Sequence, residues 1–325
     1  MHWLMVLKAI RLLCLFLISG WLNAAVAQDE AKGGEEAEPA TKANPASRSG
    51  FSTGLGEWAL VRRYPEQAVW LDLDDEGRAL GLFLPEYVTP ATGALLILAD
   101  EGQTADEGVL GSLRVALAER GLAVMTVGLG LPPEAIRRHR MDVMAPGLDD
   151  DAGQNPDQGG NTSDSVMIDV AEEPPFDDLT ADFRNSVRTI LSAGVAVLQQ
   201  RGYERVGVLG MGWSADYVTD WAADAAAVSA VVWLAPRFPA RQAVTLPSLL
   251  KERNGGQGWP VLDLHDSAGP SGAEGRARAA AFARADVAGY DRQPVALNRP
   301  LRAEDARRVA SRVSAWLKNL SASGD

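Results

Sequence analysis

The stretch Ala94-Leu95-Leu96-Ile97-Leu98-Ala99 is an unbroken apolar run. A strand with one wet face alternates apolar and polar side chains, so an unbroken run demands cover on both faces. Leu122–Val127 has the same character, and Arg205–Leu209, Val228–Leu234 and Pro260–Leu264 predict three further strands. Segments with helical spacing lie between them. Val109, Leu113, Ala116 and Leu117 share one face. So do Phe183, Val187, Ile190, Leu191, Val195 and Leu198 within 179–201, and Ala306, Val309, Val313, Trp316 and Leu317 within 304–320. Segments 215–226 and 237–250 read as helical or irregular, 272–285 as an Ala/Arg-rich helix, and 293–297 as a last short strand. Before the first buried run, Ala68–Leu73 and Leu80–Leu84 pair across the turn signal Asp74-Asp75-Glu76-Gly77. An antiparallel start followed by repeated βα units predicts an α/β class: a mixed, mostly parallel sheet with helices on both faces.

The ends of the chain carry different signals. Lys8 and Arg11 precede an apolar stretch, Leu12–Leu22, and Ala25-Val26-Ala27 forms an A-x-A site before Gln28. Residues 1–27 therefore predict a secretory signal and a periplasmic protein. The stretch is short against the roughly 20 residues of a bilayer span, and membrane contact is expected only if it stays uncleaved as an anchor. The only cysteine, Cys14, lies inside it. Without disulfides the mature chain depends on its core, and 46% apolar residues in 325 suffice for one large domain, expected over 54–321. Residues 28–53, rich in Ala, Glu, Pro and Ser, predict a flexible tether. A second such stretch is expected as an insertion at about 146–178, and residues 148–178 hold ten acidic side chains and no basic one. With a formal net charge of −12 and no basic stripe, nucleic acid is excluded as a partner.

The segments "GALLILADEG", "LRVALAERGLAVMTVGLGLP" and "GVLGMG", with the terminal amphipathic helix, resemble an exported proteobacterial family known only as a domain of unknown function, DUF3530, placed among α/β-hydrolase-like folds. The likeness runs over roughly 54–320. It implies an α/β-hydrolase-like fold and no particular activity.

A serine hydrolase of that layout needs an oxyanion loop, a nucleophile on a strand-to-helix elbow, an acid and a late histidine, in that order. The elbow pattern, small-x-Ser-x-small, falls here on Gly210-Met211-Gly212-Trp213-Ser214, with glycine at its centre. Reading Ser214 as the nucleophile instead puts Asp216 where a small residue is needed, so Ser214 fits better as a small helix-start residue capping an N–H. The base should follow the last strand, yet "RQPVALN" has no histidine. His265 ends "PVLDLHD", where the acid normally stands, beside Asp263 and Asp266, and its plain reading is a surface residue at a strand end. His139, in "RRHR", reads as part of a solvated basic face, an internal latch or a contact for an acidic partner. The oxyanion loop would be Asp100-Glu101-Gly102-Gln103, whose two carboxylates would repel a developing oxyanion.

Asp149, Asp151, Asn155 and Asp157 offer oxygens of the kind calcium prefers, without the bidentate Glu or the spacing of an EF-hand. No Cys/His cluster, P-loop or dinucleotide fingerprint is present in the sequence, and no cofactor is expected. Three readings follow. The first is a catalytically degenerate envelope protein that binds a small ligand or another envelope protein above the elbow. The second is a serine esterase using Ser214 with His265 and Asp263 or Asp266. The third is a calcium-dependent protein gated by the acidic insertion.

Overall fold

The computed structural model describes residues 56–73, 77–144, 174–225, 228–254 and 259–323. The signal-like segment, the tether, most of the acidic insertion and the calcium candidates Asp149, Asp151, Asn155 and Asp157 lie outside the described residues.

Eight strands form one sheet in the order β1-β2-β4-β3-β5-β6-β7-β8. They are β1 (Ala68–Asp72), β2 (Arg78–Leu84), β3 (Gly93–Glu101), β4 (Leu122–Leu129), β5 (Val206–Met211), β6 (Ala230–Leu234), β7 (Val261–Asp266) and β8 (Tyr290–Val295). The pairings β1–β2 and β2–β4 are antiparallel and the rest parallel. The helices are α1 (Glu57–Arg63), α2 (Leu110–Ala118), α3 (Glu134–Met144), α4 (Phe176–Gln200), α5 (Ser214–Asp224), α6 (Ala240–Asn254), α7 (Gly269–Ala285) and α8 (Ala306–Ser323). This is the mixed, mostly parallel α/β-hydrolase-like sheet.

Side chains alternate across the central strands and divide the core in two. Leu95, Ile97, Leu209, Val232 and Leu262 face α2 and α8, meeting Leu113, Leu117, Val309 and Val313. Leu96, Leu98, Val208, Val231, Trp233 and Val261 face the other way, onto Phe183 and Val187 of α4, Tyr217 and Trp221 of α5, Leu246 of α6 and Phe282 of α7. Both faces are covered, which is the physical reason the central strands carry unbroken apolar runs.

Three details differ from the expectation. Residues 134–144, just before the expected insertion and without an expected element, form α3, opened by Pro132-Pro133-Glu134: the prolines suit a helix start and Glu134 suits its dipole. The next helix begins at Phe176 rather than Leu179, with Asp177 and Asp178 in its first turn. And β7 runs on through His265 and Asp266, all six of its residues buried.

Candidate functional site

The turn from β5 to α5 is a nucleophile elbow in its backbone. Gly212 holds φ +56°, the left-handed conformation of an elbow centre. A Cβ on Gly210 would meet the backbone of Ala215 at 2.6 Å, so glycine is required there for α5 to press onto β5. Ser214 closes the turn from inside. Its Oγ accepts the Met211 N–H at 2.7 Å and has the carbonyls of Met211 (2.8 Å) and Leu98 (3.0 Å) as acceptors. It is fully buried. The hydroxyl is thus engaged by its own turn and by β3, as a capping group is.

A side chain from another strand stands over the elbow glycine. Asp100, at the C-terminal end of β3, turns its carboxylate over Gly212, and a Cβ built there would lie 2.1 Å from Oδ2 and 2.3 Å from Cγ. Asp100 Oδ1 accepts the N–H of Glu101 at 2.9 Å and that of Trp213 at 2.9 Å. These two donors are Trp213, the residue after the elbow centre, and Glu101, the last residue of β3; the first is the position from which an oxyanion hole takes one of its N–H groups. The carboxylate that the sequence placed in an oxyanion loop is thus held by the backbone N–H groups of Glu101 and Trp213. Burial pushes the Asp100 carboxyl above its usual value, against the pull of the two N–H groups and of Arg237; neighbouring Glu101 adds to the rise.

A second polar layer sits beside it. Arg140 of α3 donates to Glu101 Oε1 at 2.7 Å and to the Tyr217 hydroxyl at 2.7 Å. The Tyr217 hydroxyl donates to the same Glu101 oxygen at 2.6 Å. The Arg140 guanidinium also lies over the Trp213 ring, 4.4 Å from its centroid. Burial disfavours the Arg140 charge, but Tyr217 and Glu101 outweigh it and hold the guanidinium more firmly protonated than usual. Of the "RRHR" cluster, Arg140 thus turns inward, onto Glu101 and Tyr217. Arg138 pairs with Glu134 on the surface, and the exposed His139 ring lies tilted against Phe176, their centroids 4.7 Å apart.

Below α5, Asp216 is buried and its Oδ2 accepts from Arg184 of α4 at 2.6 Å. Its Oδ1 has no partner among the described residues. Burial pushes its carboxyl up to about 6, Arg184 opposing.

The remaining candidates are dispersed. His265 is 2% exposed, not a surface residue as its position suggested. Because β7 continues through it, the ring turns under α7, where a Cβ on Gly275 would stand 2.4 Å from its Cδ2. Its Nδ1 lies 3.8 Å from Asp263 Oδ1 and is without a hydrogen bond among the described residues. Burial lowers its tendency to protonate. Asp263 is engaged elsewhere, accepting from Arg278 at 2.8 and 3.1 Å and from the Tyr290 hydroxyl at 2.7 Å. Asp266 points to the other side of β7, and Arg299 of the loop after β8 donates to it at 2.6 Å. Arg299 thus occupies the chain region where the layout puts its histidine, and an arginine stays protonated and takes up no proton. Ser214 is bonded within its own turn and to β3, Asp263 to Arg278 and Tyr290, and Asp266 to Arg299, and among the described residues no hydrogen bond or ion pair joins Ser214 to His265, Asp263 or Asp266.

Sequence reasoning named Asp100 and Glu101 as a poor oxyanion loop, but missed the Glu101–Tyr217–Arg140 layer and the Asp266–Arg299 pair. The signal for the second was an arginine just beyond the "RQPVALN" window.

Among the described residues no group of three or more His, Cys, Asp or Glu side chains could hold a metal, and no helix is long and apolar enough to cross a membrane.

Sheet order, elbow and flanking helices define an α/β-hydrolase-like fold. The chain matches the DUF3530 family, described as a protein of unknown function, over residues 9–319, and belongs to it. Solved structures similar to it include the esterase domain of a Rhodothermus marinus protein (14% identity, TM-score 0.46, covering 78% of this chain and 97% of that one). Others are a dienelactone hydrolase from Anabaena variabilis (16%, 0.47, 78% and 96%) and Est1E from Butyrivibrio proteoclasticus (11%, 0.48, 79% and 100%). No curated protein matches the sequence.

Proposed function

We propose that this chain is an exported α/β-hydrolase-fold protein that has given up serine catalysis and acts as a binding or scaffolding protein of the periplasm or cell envelope. One observation carries the reading: the Asp100 carboxylate stands over Gly212 and takes the N–H of Trp213, the residue after the elbow centre, together with that of Glu101. A substrate carbonyl meets no serine there and finds the Trp213 N–H already satisfied by a full negative charge. The internal role of Ser214 and the burial of His265 support the same conclusion. Export rests on residues 1–27 and is tested by cell fractionation, in which the mature protein should appear without the N-terminal segment.

The functional test is exposure of purified, folded protein to a fluorophosphonate probe and a p-nitrophenyl ester, with Ser214→Ala alongside. No labelling and no turnover above the free ester's own hydrolysis are expected. Labelling that disappears in Ser214→Ala would overturn the reading in favour of an esterase with a displaced nucleophile.

A further inference from the structure

We infer that a cavity at the end of the sheet opposite the elbow binds a small monocarboxylate with a short apolar body. It does not rest on the reading of the elbow. Along β5 the two places are about 20 Å apart, from the rise of an extended chain between Arg205 and Gly212.

The cavity, about 140 Å³ in volume, lies between the last turns of α8 and the N-terminal ends of β3, β4, β5 and β6. Small residues make the room. Ala94, Gly207 and Ala230 line it from three neighbouring strands, and their short or missing side chains leave space. Leu122 of β4 and Leu317 and Leu320 of α8 supply the apolar wall. A space of this size takes a body of about the size of benzene.

The polar lining has a different exposure from the apolar one. Arg205 and Ser229 are exposed and Thr92 is half-buried, whereas Ala94, Leu122 and Ala230 are buried. The polar groups therefore mark the mouth and the apolar ones the floor. Among the described residues the Arg205 guanidinium has no ion pair or hydrogen bond, and the hydroxyls of Thr92 and Ser229 have no partner. The Ser321 hydroxyl, by contrast, is spent on the Leu317 carbonyl at 3.1 Å.

Charge points to the ligand. No acidic side chain is among the described residues that line the cavity, although the chain holds 43 acidic residues against 31 basic ones. Glu204, the chain neighbour of Arg205, is exposed and does not line it. A carboxylate at the mouth would meet the planar N–H fork of an arginine and two hydroxyls, while its apolar body fills the space against the leucines. Inorganic phosphate would satisfy the donors and leave the apolar wall wet. A bare hydrocarbon would fill the space and leave the donors unused.

The experiment is titration of 4-fluorobenzoate into the folded, isotopically labelled protein near neutral pH, followed by amide NMR. Saturable shifts are expected at Ala94, Leu122, Ala230 and Leu320, with a Kd of about 1 mM or below. The uncharged 4-fluorobenzamide and the nearly bodiless acetate should each bind about tenfold or more weakly, and so should 4-fluorobenzoate to Arg205→Met, which loses the charge-assisted hydrogen bond. Arg205 is exposed, so the variant's spectrum away from the cavity should match wild type. No saturable shift at these residues, or equal binding of the acid and the amide by wild type, would overturn the inference even if the variant does not fold. Shifts confined to Gly212 and Trp213 would also overturn it, and would place the ligand above the elbow instead.

Discussion

The Oδ2 of Asp100 lies 2.1 Å from the point at which a Cβ on Gly212 would stand. Two residues 112 positions apart in the chain thus share one place, and only one of them can have a side chain there. A serine at 212 would have to expel the carboxylate from the two N–H groups that hold it, and would also take up φ +56°.

Gly212→Ser should therefore restore no esterase activity and should destabilise the fold by about 1–3 kcal/mol from backbone strain alone, more with the clash. Asp100→Gly in the same chain should recover part of that loss. Urea unfolding of the two single variants and the double variant measures the coupling. Strict additivity would mean that Asp100 does not fill the position.

Ser214→Ala should cost about 1–3 kcal/mol, because the buried Met211 N–H loses its acceptor. A catalytic serine is often removed with little loss of stability. Thermal unfolding separates the two cases, and an unchanged midpoint would contradict the capping role.

Arg140→Met leaves Glu101, whose side chain is 8% exposed, without its cation. Breaking such a pair from one side costs about 3–5 kcal/mol when buried, and somewhat less here, because Arg140 is 16% exposed and Tyr217 still donates. Glu101→Gln in the Arg140→Met background should recover part of the loss. Near-ultraviolet circular dichroism should change with the packing of Trp213, the ring that Arg140 covers.

Asp216 makes a prediction in pH. Its carboxyl is pushed up to about 6 by burial, so the folded state holds the proton more tightly than the unfolded chain does. For a raised acid the associated stability is fully present below the ordinary carboxylate value and is lost as pH rises through about 6. The change across that window is of order 2–3 kcal/mol. Measured by urea unfolding at several pH values, wild type should gain on Asp216→Asn as pH falls from 7 to about 4. Parallel curves would remove the premise.

The order of strands and helices was legible because each buried run and each helical stripe reports its own surroundings. Burial on both faces of β3 and β4 forces apolar residues at successive positions, and that pattern is local. Helix α3 escaped because its composition is strongly polar, with only Ile136 buried among the residues 134–141, so its proline start was the sole cue.

The candidate site divides along the same line. Glycine at the elbow centre, the small residues around it, and a C-terminal loop without histidine follow from the sequence alone, since each depends on a position in a chain order. What packs over the elbow glycine does not. Asp100 reaches Trp213 across 113 positions, and Tyr217 reaches Glu101 across 116. A carboxylate in a sequence looks the same whether it faces water, repels an oxyanion or is held by backbone N–H groups over a glycine. His265 shows the reverse case: at a strand end it suggested the surface, and one more turn of pairing in β7 with α7 laid across it made it core. Backbone pattern is written in short-range periodicity. The partner of a buried polar group is settled only when distant segments are packed together, because the cost of leaving that group unpaired exists only once water has been excluded.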